Sequence, residues 1–224
     1  MHLLIATVSQ FVPLVGPIVL MGYVYSVIEA KLRFGRDQFP DFDFNQLGAY
    51  LLRGLWPMLV SLVVLLPLIL VMTLIMVLLF VTFATSTIGS GPSNDPPWFF
   101  IITVIAGMLV FSVVILVLQF VAMPMTLRAG LSQDFGSAFS MAYVRDFLGK
   151  MWKEMILSLL FLIFTAPFVL LAGLLLLFIG IYPASVIVQF ARFHLHYQLY
   201  QLYLQRGGMP IPLKDEPGSA LLTP

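Results

Sequence analysis

No Lys or Arg occurs between Arg53 and Arg128, an interval holding two long apolar runs and the polar linker between them. The basic residues gather at Lys31, Arg33, Arg36 and Arg53, then at Arg128, Arg145, Lys150 and Lys153, then at Arg206 and Lys214, with Arg192 standing apart. In a bilayer, short loops rich in Lys and Arg stay on the cytoplasmic side, while loops without them cross. The asymmetry predicts a chain threaded through a membrane, with 35–53, 126–153 and the C-terminus cytoplasmic and the 85–97 linker outside.

Composition removes the other classes. Of 224 residues, 61% are hydrophobic and 9% charged, whereas a soluble domain carries roughly 25% charged residues to cover its surface. The charge-free stretches 54–94, 96–127 and 155–191 each exceed the roughly 20 residues that span a hydrocarbon core. A net charge of +1 supplies no basic face for nucleic acid. The absence of cysteine excludes disulfides and thiolate chemistry. The apolar start lacks the basic region and cleavage site of a secretory signal and reads as part of the first membrane segment. The expectation is an all-α, polytopic transmembrane helix bundle in the cell (inner) membrane. Residues 1–206 form its single domain, 207–224 a flexible tail, and both termini are cytoplasmic.

Six membrane helical segments are expected. A short one over about 2–12 ends at the breakers Pro13, Gly16 and Pro17, and a second follows over about 17–34. Spans at about 54–84 and 98–125 flank the linker. Segments 35–53 and 126–153 are amphipathic cytoplasmic connections. In the latter, Phe135, Phe139, Tyr143 and Phe147 share one side, predicting a helix flat on the surface, although Asp146 falls on the same apolar side. Two spans lie between Lys153 and Arg206, with the turn at Gly173 or at Gly180–Pro183. The second choice puts Arg192 near the midplane, where an Arg costs at least about 2.5–3.5 kcal/mol. Energy therefore favours Gly173.

The run from residue 11 to 67 resembles a prokaryotic integral-membrane family known only as domain of unknown function number four-thousand-and-thirteen. The elements that carry the resemblance are Pro13-x-x-Gly16, Gly22-Tyr23, the basic helix end through Gly35, Phe39-Pro40-x-Phe42-Asp43 and Gly54. Leu127 to Gly130, Gly180-Ile181 with Pro183, and the helix bearing His194 and Gln198 also fit. The resemblance implies a multi-span membrane protein with no assigned activity, and more sequence ahead of the first turn than Met1 allows.

His194-x-His196 does not make a metal site, because residues two apart on a helix point about 200° apart. Ser185, Gln189, Arg192, His196, Tyr200 and Tyr203 share one face of the last helix. Arg192, His196, Gln189 and Tyr200 are the candidates for contact with an anionic lipid headgroup or substrate. The competing reading is an interfacial helix end with a snorkelling Arg and an aromatic belt. Glu29, the only acid inside an expected span, stands one turn before Arg33 in the orientation that favours an intramembrane ion pair. Asp37, Asp41 and Asp43 carry oxygen ligands a divalent cation takes, but lack the spacing of a calcium loop and read as a solvated loop. No catalytic, cofactor-binding or metal residue is assigned.

The leading expectation for function is a non-enzymatic membrane protein acting through lipids or protein partners, as an assembly or accessory factor. Its partners would be the lipid bilayer and a membrane protein or a second copy of the chain, with no nucleic acid and no cofactor. A small-solute transporter or channel is the alternative, with Gln10, Thr73, Gln119 and Gln189 as its path. A membrane-embedded enzyme acting on lipids is third.

Overall fold

A computed structural model describes residues 15–35, 42–89, 98–176 and 180–214. The expected short first helix, most of the acidic loop, the core of the 85–97 linker and the end of the tail lie outside the described residues. The regular elements are α1 (Val15–Phe34), a 3-10 turn (Phe44–Gln46), α2 (Leu47–Gly89), α3 (Trp98–Ser132), α4 (Phe135–Ala138), α5 (Met141–Leu175) and α6 (Ile181–Gln205). The fold is all-α, as the composition predicts. Long apolar runs become helices because hydrocarbon offers no partner to a free peptide group, and a helix satisfies each one internally.

Among the described residues, four segments are long and apolar enough to cross a membrane: Val15–Phe34, Phe44–Val81, Val104–Ser132 and Met141–Leu175. The polar residues of α6 (Gln189, Arg192, His194, His196, Gln198, Gln201) set it apart from these four. Pro124 and Pro167 lie inside α3 and α5 without ending them.

Two expectations about boundaries change. The 126–153 connection is not one flat helix. Its first part completes α3, Gln133 breaks the chain with a φ of 52°, and α4 follows as a single turn. Asp134 caps that turn, accepting from the backbone N–H groups of Gly136 at 3.0 Å and Ser137 at 3.2 Å. From Met141 the chain is unbroken helix to Leu175, so the polar 141–153 stretch and the apolar span are two halves of α5. Nothing between them stops a helix: no proline intervenes, and Gly149 has open space around it.

The favoured turn at Gly173 is also corrected. The reversal lies between Leu175 and Ile181, closer to the Gly180 alternative. Gly173 packs instead of turning. A Cβ on Gly173 would lie 2.5 Å from the Gly180 carbonyl oxygen, and one on Gly180 would lie 2.5 Å from the Gly173 oxygen. The two glycines thus let the backbones of α5 and α6 touch, as small residues do between membrane helices. Arg192 consequently sits mid-helix, roughly 17 Å from the start of α6 and roughly 20 Å from its end at about 1.5 Å per residue.

The chain divides into two compact units, residues 1–60 with 123–224, and residues 61–122. The first unit has an interior. Leu20, Tyr25, Val27, Leu127, Tyr143 and Phe147 are all buried. Its α1 and α2 touch backbone to backbone: a Cβ on Gly22 would meet the Tyr50 carbonyl oxygen at 1.7 Å, and one on Gly54 the Ile18 oxygen at 1.9 Å. The second unit turns its large apolar side chains outward, with Leu74 at 60% and Leu109 at 64% exposure. Its Thr73 and Ser112 hydroxyls each donate to the carbonyl one turn back, at 2.8 Å.

Candidate functional site

Two clusters of paired charged residues stand in the first unit. In the first, Glu29 is buried because α1 presents it to α2. Arg33, one turn on, donates from Nε to Glu29 Oε1 at 2.7 Å. Arg53, also buried, pairs with the other carboxylate oxygen. With its oxygen turned toward Arg53, the Gln133 side-chain amide accepts from Arg53 Nε at 3.0 Å. Arg33 also donates to the Lys214 carbonyl at 2.6 Å. One carboxylate thus serves two guanidinium groups, and the residual charge is shared with an amide and a backbone carbonyl. A buried carboxylate is tolerated only when paired in this way.

The second cluster joins α5, α6 and the segment that follows. Asp146 accepts from Lys150 Nζ at 2.9 Å and from the Tyr203 hydroxyl at 2.6 Å. These hydrogen bonds, the Lys150 one foremost, hold the Asp146 carboxyl below its ordinary range. The polar partner on α6 explains why an acid stands on the apolar side of this stretch of α5. Lys150 donates further to the Gly207 carbonyl at 3.0 Å. Arg206 donates to the Lys150 carbonyl at 2.6 Å and pairs with Glu154.

Residues 207–214, expected as the start of a flexible tail, are laid over this cluster. The Met209 N–H donates to the Tyr203 hydroxyl at 2.9 Å and the Ile211 N–H to the Tyr200 hydroxyl at 2.8 Å. Ile211 itself is buried. Beneath them, the Tyr203 ring packs tilted against Phe147 with centres 4.6 Å apart, and the Arg128 guanidinium lies 5.0 Å from the centre of the Tyr143 ring, a cation–π distance.

The four candidates for anionic contact on the last helix are separated by this packing. His196 and Tyr200 are buried within the first unit. Arg192 is exposed and Gln189 half-buried; Arg192 lies within electrostatic reach of Tyr25 and of His196. The six residues that share a face by angle thus do not share an environment. The pair Glu29–Arg33 is in place, but Arg53 was missed, since 24 residues of sequence separation leave no periodic trace. Asp43 caps the 3-10 turn, accepting from the Asn45 N–H at 2.9 Å, while Asp37 and Asp41 lie outside the described residues.

A family model with the description Protein of unknown function (DUF4013) matches residues 5–181. No curated protein and no solved structure matches the chain.

Proposed function

The chain belongs to the family Protein of unknown function (DUF4013), and on that premise we propose that it is a non-enzymatic integral membrane protein acting through contacts with lipids and a membrane-protein partner. The observation that carries this reading is the use made of its carboxylates. Glu29, Asp146 and Glu154 are tied to Arg or Lys, while Asp43 and Asp134 cap helical turns. Every carboxylate among the described residues therefore has a structural task. General acid–base work and proton relays instead need an ionisable group poised toward a substrate or path.

The outward apolar side chains of residues 61–122 support the other half of the reading. A surface of that kind is solvated by acyl chains or covered by other membrane helices. The charge asymmetry supports an orientation with the basic residues facing the cytoplasm. The test is affinity capture of the tagged full chain from native membranes in mild detergent, beside an unrelated multi-span protein of equal abundance. A specific polypeptide recovered in fixed ratio supports the reading. A chain that recovers none, yet turns over a lipid or moves a solute in proteoliposomes, overturns it.

A further inference from the structure

The segment that follows α6 is made to fold back on its own helix. Gly207 takes a φ of 70°, and the N–H groups of Gly207 and Gly208 donate to the Leu204 and Tyr203 carbonyls, each at 3.0 Å. A helix that ends in this way on a left-handed glycine reverses its chain. A side chain on Gly208 would run into the Tyr203 ring, so glycine lets the backbone lie against that ring. Pro210 and Pro212 then alternate with Met209 and Ile211. Proline fixes φ and carries no N–H. Over 209–212 the only backbone donors are therefore those of Met209 and Ile211, and tyrosine hydroxyls one turn apart on α6 accept both.

Each end of the segment is pinned by a cation that also serves a carboxylate. At the near end Lys150 donates to Asp146 and to the Gly207 carbonyl. At the far end Arg33, on α1, donates to Glu29 and to the Lys214 carbonyl. The buried Ile211 lies between the two. We propose that residues 207–214 are a latch that opens and closes as one piece. Closed, it ties the basic end of α1 to α5 and α6. Open, it leaves Lys150 and Arg33 each one acceptor short and releases α1 at that end.

The two ends differ in a way that makes them depend on each other. The bond from Arg33 to the Lys214 carbonyl is exposed, and exposed bonds of this kind open readily alone. It gains persistence because the seat of Ile211 and the hydroxyls of Tyr200 and Tyr203 hold the carbonyl within reach, which raises its effective concentration. The two prolines lower the entropy lost on closing. The latch requires neither a lipid nor a partner, so its failure would leave the functional reading above untouched.

The experiment is hydrogen–deuterium exchange of the full chain in nanodiscs, resolved to single amides. Tyr203→Phe removes the acceptor of the Met209 N–H but leaves that of Ile211 in place. In a latch that opens as one piece the Ile211 amide nevertheless exchanges about fivefold faster, the effect of one lost hydrogen bond. Arg33→Lys keeps a cation beside Glu29 but loses the fork that spans two acceptors, and should speed Ile211 by a similar factor. In the other direction, Ile211→Ser empties the buried seat and should speed the amides of residues 31–34 at the end of α1. Adding Tyr203→Phe to Ile211→Ser should then change residues 31–34 no further, because the latch is already open. Faster exchange at Met209 with Ile211 unchanged overturns the proposal, since the bonds then fray one by one. So does Ile211→Ser without effect at residues 31–34. The amides of Tyr143 and Phe147 must stay as slow as in the wild-type chain in every variant; a rise there means that the whole unit loosens, and no separate latch exists.

Discussion

Residues 61–122 and the unit formed by residues 1–60 with 123–224 are built from the same long apolar helices, yet they use side chains in opposite ways. In the first unit, tyrosines, arginines and carboxylates are drawn inward and satisfied by one another. Tyr143 and Tyr203 are fully buried, and Glu29 and Arg53 nearly so. In the 61–122 unit the Thr73 and Ser112 hydroxyls are folded back onto their own helices and large apolar groups face out. Hydrophobicity alone therefore does not make an interior among membrane helices, because lipid is as good a neighbour as leucine. Polar pairs and close backbone approach at small residues make one. Sensitivity to mutation should follow that division.

The largest effect is expected at Glu29. Glu29→Gln leaves Arg33 and Arg53 without their shared carboxylate, and removing one member of a buried pair costs about 3–5 kcal/mol. Thermal unfolding in detergent or nanodiscs should show it. Exchanging Glu29 and Arg33 should not recover the loss, because a guanidinium at position 29 would then face Arg53. Full recovery by the swap would mean that Arg53 contributes nothing to the cluster.

A smaller loss is expected from Gly22→Ala, where the new methyl would overlap the Tyr50 carbonyl oxygen and α1 must move away from α2. Overpacking of this kind costs about 1–3 kcal/mol. Gly107, in the other unit, has nothing within 4 Å of an added Cβ. Gly107→Ala should leave stability unchanged or raise it by up to about 1 kcal/mol, the difference in helix preference between the two residues. Equal losses at the two glycines would erase the contrast between the units.

Tyr203→Phe comes next. It removes a hydroxyl that donates to Asp146 and accepts from the Met209 N–H, at a cost of about 1 kcal/mol. It should also free residues 207–214 to exchange amide protons faster, which hydrogen–deuterium exchange reads directly. Thr73→Val removes a hydroxyl bonded only within its own helix and should be silent by the same two measurements.

The smallest effect is a pH dependence. The Asp146 carboxyl is held below its ordinary value of 3.8, so the folded state binds that proton less readily than the unfolded chain. Its contribution is fully present above about 3.8 and is lost as pH falls through the lower folded value. The acid limb of a stability–pH curve should flatten in Asp146→Asn. An unchanged limb would place the acid sensitivity elsewhere.

What the sequence discloses follows from the range of each signal. The apolar runs, the all-helical class and the Glu29–Arg33 pair were legible, because hydropathy and a spacing of four are local. Arg53 joins the same carboxylate from another helix, and Gln133, just past the end of α3, accepts from Arg53; neither leaves a periodic mark. The odd placement of Asp146 was visible as a flaw in an amphipathic face, and that flaw was the one sequence signal of its partner Tyr203. Angular projection grouped His196 and Tyr200 with Arg192, but a projection does not know that α6 has protein on more than one side. Gly173 read as the turn because that choice spared Arg192 the midplane; Gly180, in contact with it, makes it a packing residue.

The topology that underlies all of this is open to one direct measurement. The chain has no cysteine, so single cysteines at Ser90 and Ser140 can be labelled in intact cells with a membrane-impermeant maleimide, then again after permeabilisation. Ser90 should react from outside before permeabilisation, and Ser140 only afterwards. Labelling of both positions from the same side would contradict the threading on which the division of basic and apolar segments rests.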